Sequence, residues 1–103
     1  MRTALVLVDL QPDFCPGGAL AVADGDATIA VANAAMREPG VDLVVATQDL
    51  HPPDHGSFAS QHPGHAPYEV IDLHGLPQVL WPDHCVRDTA GALLHPALDQ
   101  VLR

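Results

Sequence analysis

Carboxylate and imidazole groups follow two apolar segments of the sequence. Asp9 ends the apolar run 4–8, and Asp49 and His51 follow a second run centred on residues 43–46. Positions i and i+2 of an extended segment face the same way, so Asp49 and His51 are expected to project together. One carboxylate beside one imidazole is a usual start for a zinc, iron or manganese site. Asp9 has the chemistry of a general acid or base, but it is equally consistent with a side chain that caps a loop.

The further ligands that a metal site needs must come from the second half of the chain. Six of the seven histidines follow His51, and the segment Trp81–Val86 places the only Trp close to His84. That segment either lends a ligand and a flat apolar wall, or it pins a loop through a small hydrophobic cluster. Four histidines are interpreted as solvated loop residues, namely His62, His65, His74 and His95.

The elements that position these residues follow the pattern of an α/β protein. Residues 3–10 are apolar without alternation, which predicts a buried strand covered on both faces. Residues 26–37 are rich in Ala and are followed by Pro39-Gly40, which predicts a helix. Residues 41–49 predict a second strand. The resulting βαβ unit has parallel strands, whose carboxyl ends are the usual ligand-binding edge.

The rest of the chain is less regular. Residues 51–96 show no strong periodicity, although residues 68–73 could form a strand, and residues 97–103 predict a final turn or helix. Two convincing strands are too few for an open sheet, which typically has about 5–6. We therefore expect an incomplete Rossmann-like parallel sheet, either because the chain is truncated or split or because a partner completes the sheet.

The composition excludes several classes of partner. The net charge is -9, with 13 acidic and 4 basic residues, and the chain has no Lys. Such a balance argues against binding to nucleic acid or to an anionic membrane surface. The N-terminal apolar run is too short for a signal peptide or a membrane span, which predicts a cytoplasmic protein. In a reducing compartment Cys15 and Cys85 are expected to be free, structural thiols.

Three blocks of the sequence together resemble the nicotinamidases, a branch of the isochorismatase-like hydrolases. The first block, Val8–Phe14 with Gly17–Leu20, is similar to the family's opening motif. The second, Thr47–Pro52 with Asp54–His55 and Ser57–Ser60, is similar to its metal-binding segment. The third, Trp81–Val86 with Gly91–Pro96, is similar to the segment that supplies the last metal ligand. The blocks keep the family's order and spacing and cover nearly the whole chain. The Trp-Pro-Asp-His-Cys-Val block favours nicotinamidases over other branches of the superfamily.

The resemblance implies hydrolysis of nicotinamide to nicotinate and ammonia, a step of NAD salvage. In the family a Cys thiolate attacks the amide of a metal-anchored substrate, an Asp exchanges the proton, and a Lys supports both. Asp9 is similar to the catalytic Asp, and Phe14 and Trp81 to the walls around the aromatic ring. The implied ligands of a zinc, iron or manganese ion are Asp49, His51 and His84, and His55 is similar to a further ligand that some members of the family have.

The resemblance stops short of a complete enzyme. The family's Lys has no counterpart here, and neither Cys15 nor Cys85 matches the nucleophile. We therefore interpret 1–103 as a partial domain that lacks the C-terminal half and is inactive alone, with a complementing half or a homo-oligomer as the expected assembly. The alternatives are a non-catalytic metal-binding or interaction module that completes its sheet with a partner chain, and a related Cys hydrolase that acts on another amide.

Overall fold

The computed structural model describes residues 1–99. Within them the helix and strands follow in the order β1 (Ala4–Leu7), α1 (Ala27–Met36), β2 (Leu43–Ala46), β3 (Val70–Leu73) and β4 (Leu76–Val79). Short 3₁₀ turns lie at Pro12–Phe14, Ala59–Gln61 and Ala90–Ala92. Of the turn or helix predicted at 97–103, residues 100–103 lie outside the described residues, and residues 97–99 are not helical.

The βαβ unit predicted from the sequence is present. β1 pairs with β2 in parallel, with Leu5 opposite Val44 and Leu7 opposite Ala46, and α1 makes the connection between them. Both strands are shorter than predicted. β1 ends early because the main chain leaves the extended conformation at Asp9, where φ is 55°.

One face of this small sheet forms the core. Leu7 and Val44 pack against α1 through Ile29 and Met36, and the chain after the last turn adds Leu98. Removing side chains of this size from water stabilises the fold by roughly 1.5–3 kcal/mol each. This packing explains why an Ala-rich helix of only ten residues is stable here.

The opposite face of the sheet is not covered by the described residues. Val6, Val8, Leu43 and Val45 expose 53%, 64%, 44% and 40% of their surface. The prediction of a strand covered on both faces is therefore wrong for this part of the molecule. Residues 1–99 supply a layer for one side of the sheet only.

The second half contains a hairpin that the sequence revealed only in part. β3 corresponds to the strand considered at 68–73, and it pairs antiparallel with β4. The turn at His74-Gly75 has positive φ at both residues, 53° and 87°, as a tight hairpin turn requires. β4 escaped prediction because it contains Pro77, a residue that argues against a strand in any position except an edge.

Two isolated β-bridges connect the second half of the chain to the segment that follows β2. His51 pairs in parallel with Val86, and Phe58 pairs in parallel with Trp81. Phe58 and Leu80 are fully buried beneath these bridges. The irregular segment is thus anchored against the carboxyl edge of the sheet. None of the helices among residues 1–99 is long and apolar enough to cross a membrane.

Candidate metal centre

Three metal-binding side chains converge at the carboxyl edge of the sheet. Asp49, His51 and His84 each offer a ligand atom, and these atoms lie within 4.8 Å of one another. The carboxylate oxygens of Asp49 are 3.4 Å from Nε2 of His51 and 3.4 Å from Nε2 of His84. Asp49 and His51 follow β2, as the sequence predicted, whereas His84 is brought in from a distant loop.

The main chain explains how His84 reaches this position. The His51 N–H donates to the Cys85 carbonyl at 2.8 Å, and the Arg87 N–H donates to the His51 carbonyl at 2.8 Å. These two bonds hold the His84 segment parallel to the chain that follows β2. The imidazole of His84 is buried as a result.

The hydrogen bonds of both rings fit a metal ion. Nδ1 of His51 lies 3.2 Å from the His84 carbonyl, and Nδ1 of His84 lies 2.8 Å from the Pro82 carbonyl. A carbonyl only accepts, so each Nδ1 carries the ring proton and each Nε2 turns its lone pair toward Asp49. Bonds of about 2.0–2.2 Å around a tetrahedral zinc separate its ligands by roughly 3.4 Å. The donor set and its spacing therefore suit a zinc, iron or manganese ion.

His55 lies beside this group without joining it. Its ring centroid is 4.7 Å from that of His51. Its Nδ1 accepts the Ser57 N–H at 3.1 Å and lies 2.7 Å from the Ser57 hydroxyl. Since Nδ1 accepts the amide proton, Nε2 holds the ring proton and has no lone pair for a metal in this orientation.

The four histidines interpreted as loop residues lie elsewhere. His65 is exposed and pairs with Glu69 at 2.8 Å, and this hydrogen bond lowers the pKa of the Glu69 carboxyl. His74 is exposed in the hairpin turn. His62 is half-buried, with Nε2 2.7 Å from the Gly56 carbonyl. His95 is half-buried and accepts the Ala97 N–H at 3.0 Å.

Asp9 stands at the same edge of the sheet, directly after β1. The Thr47 hydroxyl donates to its carboxylate at 2.7 Å and accepts its N–H at 3.1 Å. Its φ of 55° is in the left-handed region, which costs a residue other than glycine about 1–3 kcal/mol. Such strain tends to occur at functional sites, and the carboxylate of Asp9 is half-buried here.

The two aromatic side chains singled out by the resemblance flank different parts of the loop region. The Phe14 ring packs edge-on against His84 with centroids 5.9 Å apart. Trp81 packs against Tyr68 with ring centroids 6.0 Å apart, and the main-chain N–H of Trp81 donates to the Ser57 carbonyl at 2.9 Å. Both rings are half-buried.

Both cysteines are free and buried, as predicted. Burial raises the pKa of the Cys85 thiol to about 12, with the carboxylates of Asp49, Asp13 and Asp9 adding to the effect. Burial also raises the pKa of Cys15. A thiol that keeps its proton is a poor nucleophile, so both residues are best described as structural.

Known proteins resemble the chain in sequence and in fold. Nicotinamidase from Escherichia coli K12 is 58% identical over 99 residues, which cover 94% of this chain and 46% of that protein. The solved nicotinamidase/pyrazinamidase of Acinetobacter baumannii superposes with a TM-score of 0.88 at 48% identity, covering 97% of this chain and 48% of that one. The chain is thus similar to part of the nicotinamidases in both sequence and fold. No family model matches the chain.

The chain spans about half the length of the nicotinamidases that it matches. A pyrazinamidase of Pyrococcus horikoshii, solved in complex with zinc, superposes with a TM-score of 0.68 at 39% identity over 96% of this chain and 48% of that one. These likenesses confirm the resemblance inferred from the motif blocks. They also confirm the isochorismatase-like α/β fold, of which the βαβ unit and the long loop are part.

Two polar residues of the first nicotinamidase block have contacts that the sequence did not reveal. Gln11 is fully buried, and its side chain binds the main chain of Asp49. The carboxylate of Asp13 accepts the N–H of Cys85 at 2.7 Å. Their only sequence signal was membership of the block Val8–Phe14, because nothing in the local pattern predicts that a Gln beside a Pro is buried.

Proposed function

We propose that residues 1–103 form the metal-binding part of a nicotinamidase that converts nicotinamide, or a related pyridine carboxamide, to nicotinate and ammonia in NAD salvage. The observation that carries this proposal is the convergence of Asp49, His51 and His84. It occurs in a chain that is 58% identical to a known nicotinamidase. A carboxylate and two oriented imidazoles are a donor set suited to metal binding.

Asp49, His51 and His84 are the proposed ligands of a zinc, iron or manganese ion. The bound ion would act as a Lewis acid that anchors the pyridine nitrogen and so orients the carboxamide. His55 is proposed as a further ligand, which requires its ring to give up the contact between Nδ1 and Ser57. Phe14 and Trp81 are the proposed walls that hold the aromatic ring.

Asp9 is the proposed proton carrier. The hydrogen bond from Thr47 fixes one oxygen of its carboxylate, so the other oxygen can take a proton from the attacking thiol and return it to the leaving ammonia.

The nucleophilic Cys and the supporting Lys are proposed to lie outside these residues. The chain contains no Lys, and Cys15 and Cys85 are buried. We propose 1–103 as a partial domain that needs a complementing half, in the same protein or in a second chain. A strand added along the open edge of β1 would end near Asp9, whereas the exposed Val6 and Val8 would need a further layer of structure packed on that face of the sheet. The free thiols support a cytoplasmic location.

Ammonia release from nicotinamide tests this proposal. The purified chain with added Zn²⁺ is assayed alone and together with the half of the Escherichia coli nicotinamidase that it does not match. We expect no turnover by the chain alone, turnover by the mixture, and loss of that turnover with Asp9→Asn. Turnover by the chain alone would refute the absence of its nucleophile. Failure to bind zinc would refute the metal centre.

A non-catalytic module is the second candidate, favoured by the uncovered apolar face of the sheet. Val6, Val8, Leu43 and Val45 form a surface that suits an interface with a second copy. A stable homo-oligomer in sedimentation, together with no turnover in the complementation assay, would favour this alternative over the enzyme.

A further inference from the structure

The side chain of Gln11 is bonded like the main chain of a neighbouring strand. Its Oε1 accepts the Asp49 N–H at 2.9 Å, and its Nε2 donates to the Asp49 carbonyl at 2.9 Å and to the Ala92 carbonyl at 2.7 Å. The residue is fully buried. Both N–H groups of the amide are therefore used, which is what a buried polar side chain requires.

The Gln11 contact lies directly beyond the last main-chain hydrogen bond between β1 and β2. The last bond of the ladder runs from the Thr47 N–H to the Leu7 carbonyl at 2.9 Å. Beyond this bond, the turn at Asp9 carries the segment after β1 away from the segment after β2. Gln11 spans the gap with one donor and one acceptor, so the main chain of Asp49 is held in place without a neighbouring strand.

Asp13 makes a comparable contact on the other side of the metal centre. Its carboxylate accepts the N–H of Cys85, the residue directly after His84. Cys85 has a φ of 47°, a conformation that needs such an anchor in a residue other than glycine. The turn at Ala90–Ala92 packs so closely on this carboxylate that a Cβ added at Gly91 would lie 2.2 Å from an Asp13 oxygen.

We propose that Gln11 and Asp13 are positioning residues that set the distance between Asp49 and His84. Both belong to one short segment after β1, and each binds the main chain at or next to one ligand. The segment thus aligns two ligand-bearing loops that are far apart in sequence. This inference rests on the metal centre proposed above, but it assigns these two side chains a separate role.

The substitution Gln11→Glu tests the first contact. Glu keeps an acceptor for the Asp49 N–H but loses both donors and sets a carboxylate against two carbonyl oxygens. We expect the zinc affinity, measured by competition with a chromophoric chelator, to fall about 10–100-fold. The visible spectrum of the Co²⁺-loaded chain should also change. Far-UV circular dichroism and the urea midpoint of the metal-free chain establish that the variant is folded.

Gln48→Ala is the matched control. Gln48 donates to the same Ala92 carbonyl at 2.9 Å, yet its side chain makes no hydrogen bond to Asp49 among the contacts of residues 1–99. Its loss removes one partly buried hydrogen bond and leaves the bonds of Gln11 in place. We expect the zinc affinity of this variant to stay within about twofold of wild type, since Asp49 keeps both main-chain partners.

Two variants of Asp13 keep the inference testable if Gln11→Glu does not fold. Asp13→Ala should weaken zinc binding at least about 10-fold, and Asp13→Asn, which retains an oxygen for the Cys85 N–H, should restore most of the affinity. Folded Gln11→Glu and Asp13→Ala variants with zinc affinity within about twofold of wild type would overturn the inference. A wild-type chain that binds no zinc gives a different result, because it refutes the metal centre itself.

Discussion

Within residues 1–99, the loops of the metal centre complete their hydrogen bonds, whereas the βαβ unit leaves part of its apolar surface exposed. In this part of the chain, no buried side-chain nitrogen or oxygen lacks a hydrogen-bond partner. The fully buried Gln11 is the strongest case. The βαβ unit, by contrast, leaves Val6, Val8 and Val45 at 53%, 64% and 40% exposure on one face of its sheet.

The difference follows from the kind of interaction that each region uses. Hydrogen bonds are short and directional, so a few side chains such as Gln11 and Asp13 can complete the polar edge locally. Covering an apolar sheet face requires a whole layer of structure. Residues 1–99 can therefore shape a metal centre, while the sheet beneath it still lacks one of its layers.

Loss of a metal ligand should have the largest effect on the loop region. The substitution His84→Ala is expected to abolish measurable zinc binding, because only Asp49 and His51 of the three converging ligands remain and the ring of His55 is turned toward Ser57. Isothermal titration with Zn²⁺ measures this. His65→Ala is the control, since His65 is exposed and its side chain pairs, among residues 1–99, with Glu69 and not with the metal-binding group. Equal loss in both variants would contradict the assignment of His84 as a ligand.

The covered face of the βαβ unit should be sensitive to a cavity. Met36 is 1% exposed in the core, so Met36→Ala is expected to lower the free energy of unfolding by about 2–5 kcal/mol. Val31→Ala on the same helix is the control, because Val31 is 69% exposed. Its expected change is within about 0.5 kcal/mol. Urea unfolding compares the two, and a large loss in Val31→Ala would mean that this side of the helix is covered.

The uncovered face should tolerate a polar atom. Val8→Thr keeps the shape of the side chain and is expected to change the free energy of unfolding by less than about 0.5 kcal/mol. Val44→Thr places the same hydroxyl on the buried side, where Val44 is 3% exposed, and should cost about 1–3 kcal/mol. Similar values for both substitutions would show that the two faces do not differ.

The sequence predicted the βαβ unit because its signals are local. Apolar runs and an Ala-rich segment before Pro39-Gly40 indicate strands and a helix regardless of what lies around them. The strand ends were wrong because Asp9 turns the main chain, and a left-handed Asp has no distinct sequence signal. β4 was missed because Pro77 opposed it, although the structure places Pro77 opposite Asp72 in a two-stranded hairpin.

The metal centre was predictable only in part. The i, i+2 spacing joined Asp49 to His51, but no spacing rule connects either residue to His84. That assignment came from the resemblance, and the structure brings the three side chains together. The roles of Gln11 and Asp13 were out of reach, because they depend on main-chain groups in loops whose positions relative to β1 are set by tertiary packing.

The parallel bridge between His51 and Val86 has a consequence for how the chain responds to its metal. His51 and His84 are 33 positions apart, so an ion held by both would act as a removable cross-link around the hairpin. Closing a loop of this size lowers the entropy of the unfolded chain by the equivalent of about 3–4 kcal/mol in the cross-link model. Chelation would remove that cross-link and leave the segment held by its main-chain hydrogen bonds and by the buried Phe58 and Leu80, so the free energy of unfolding of this chain should fall when the metal is removed.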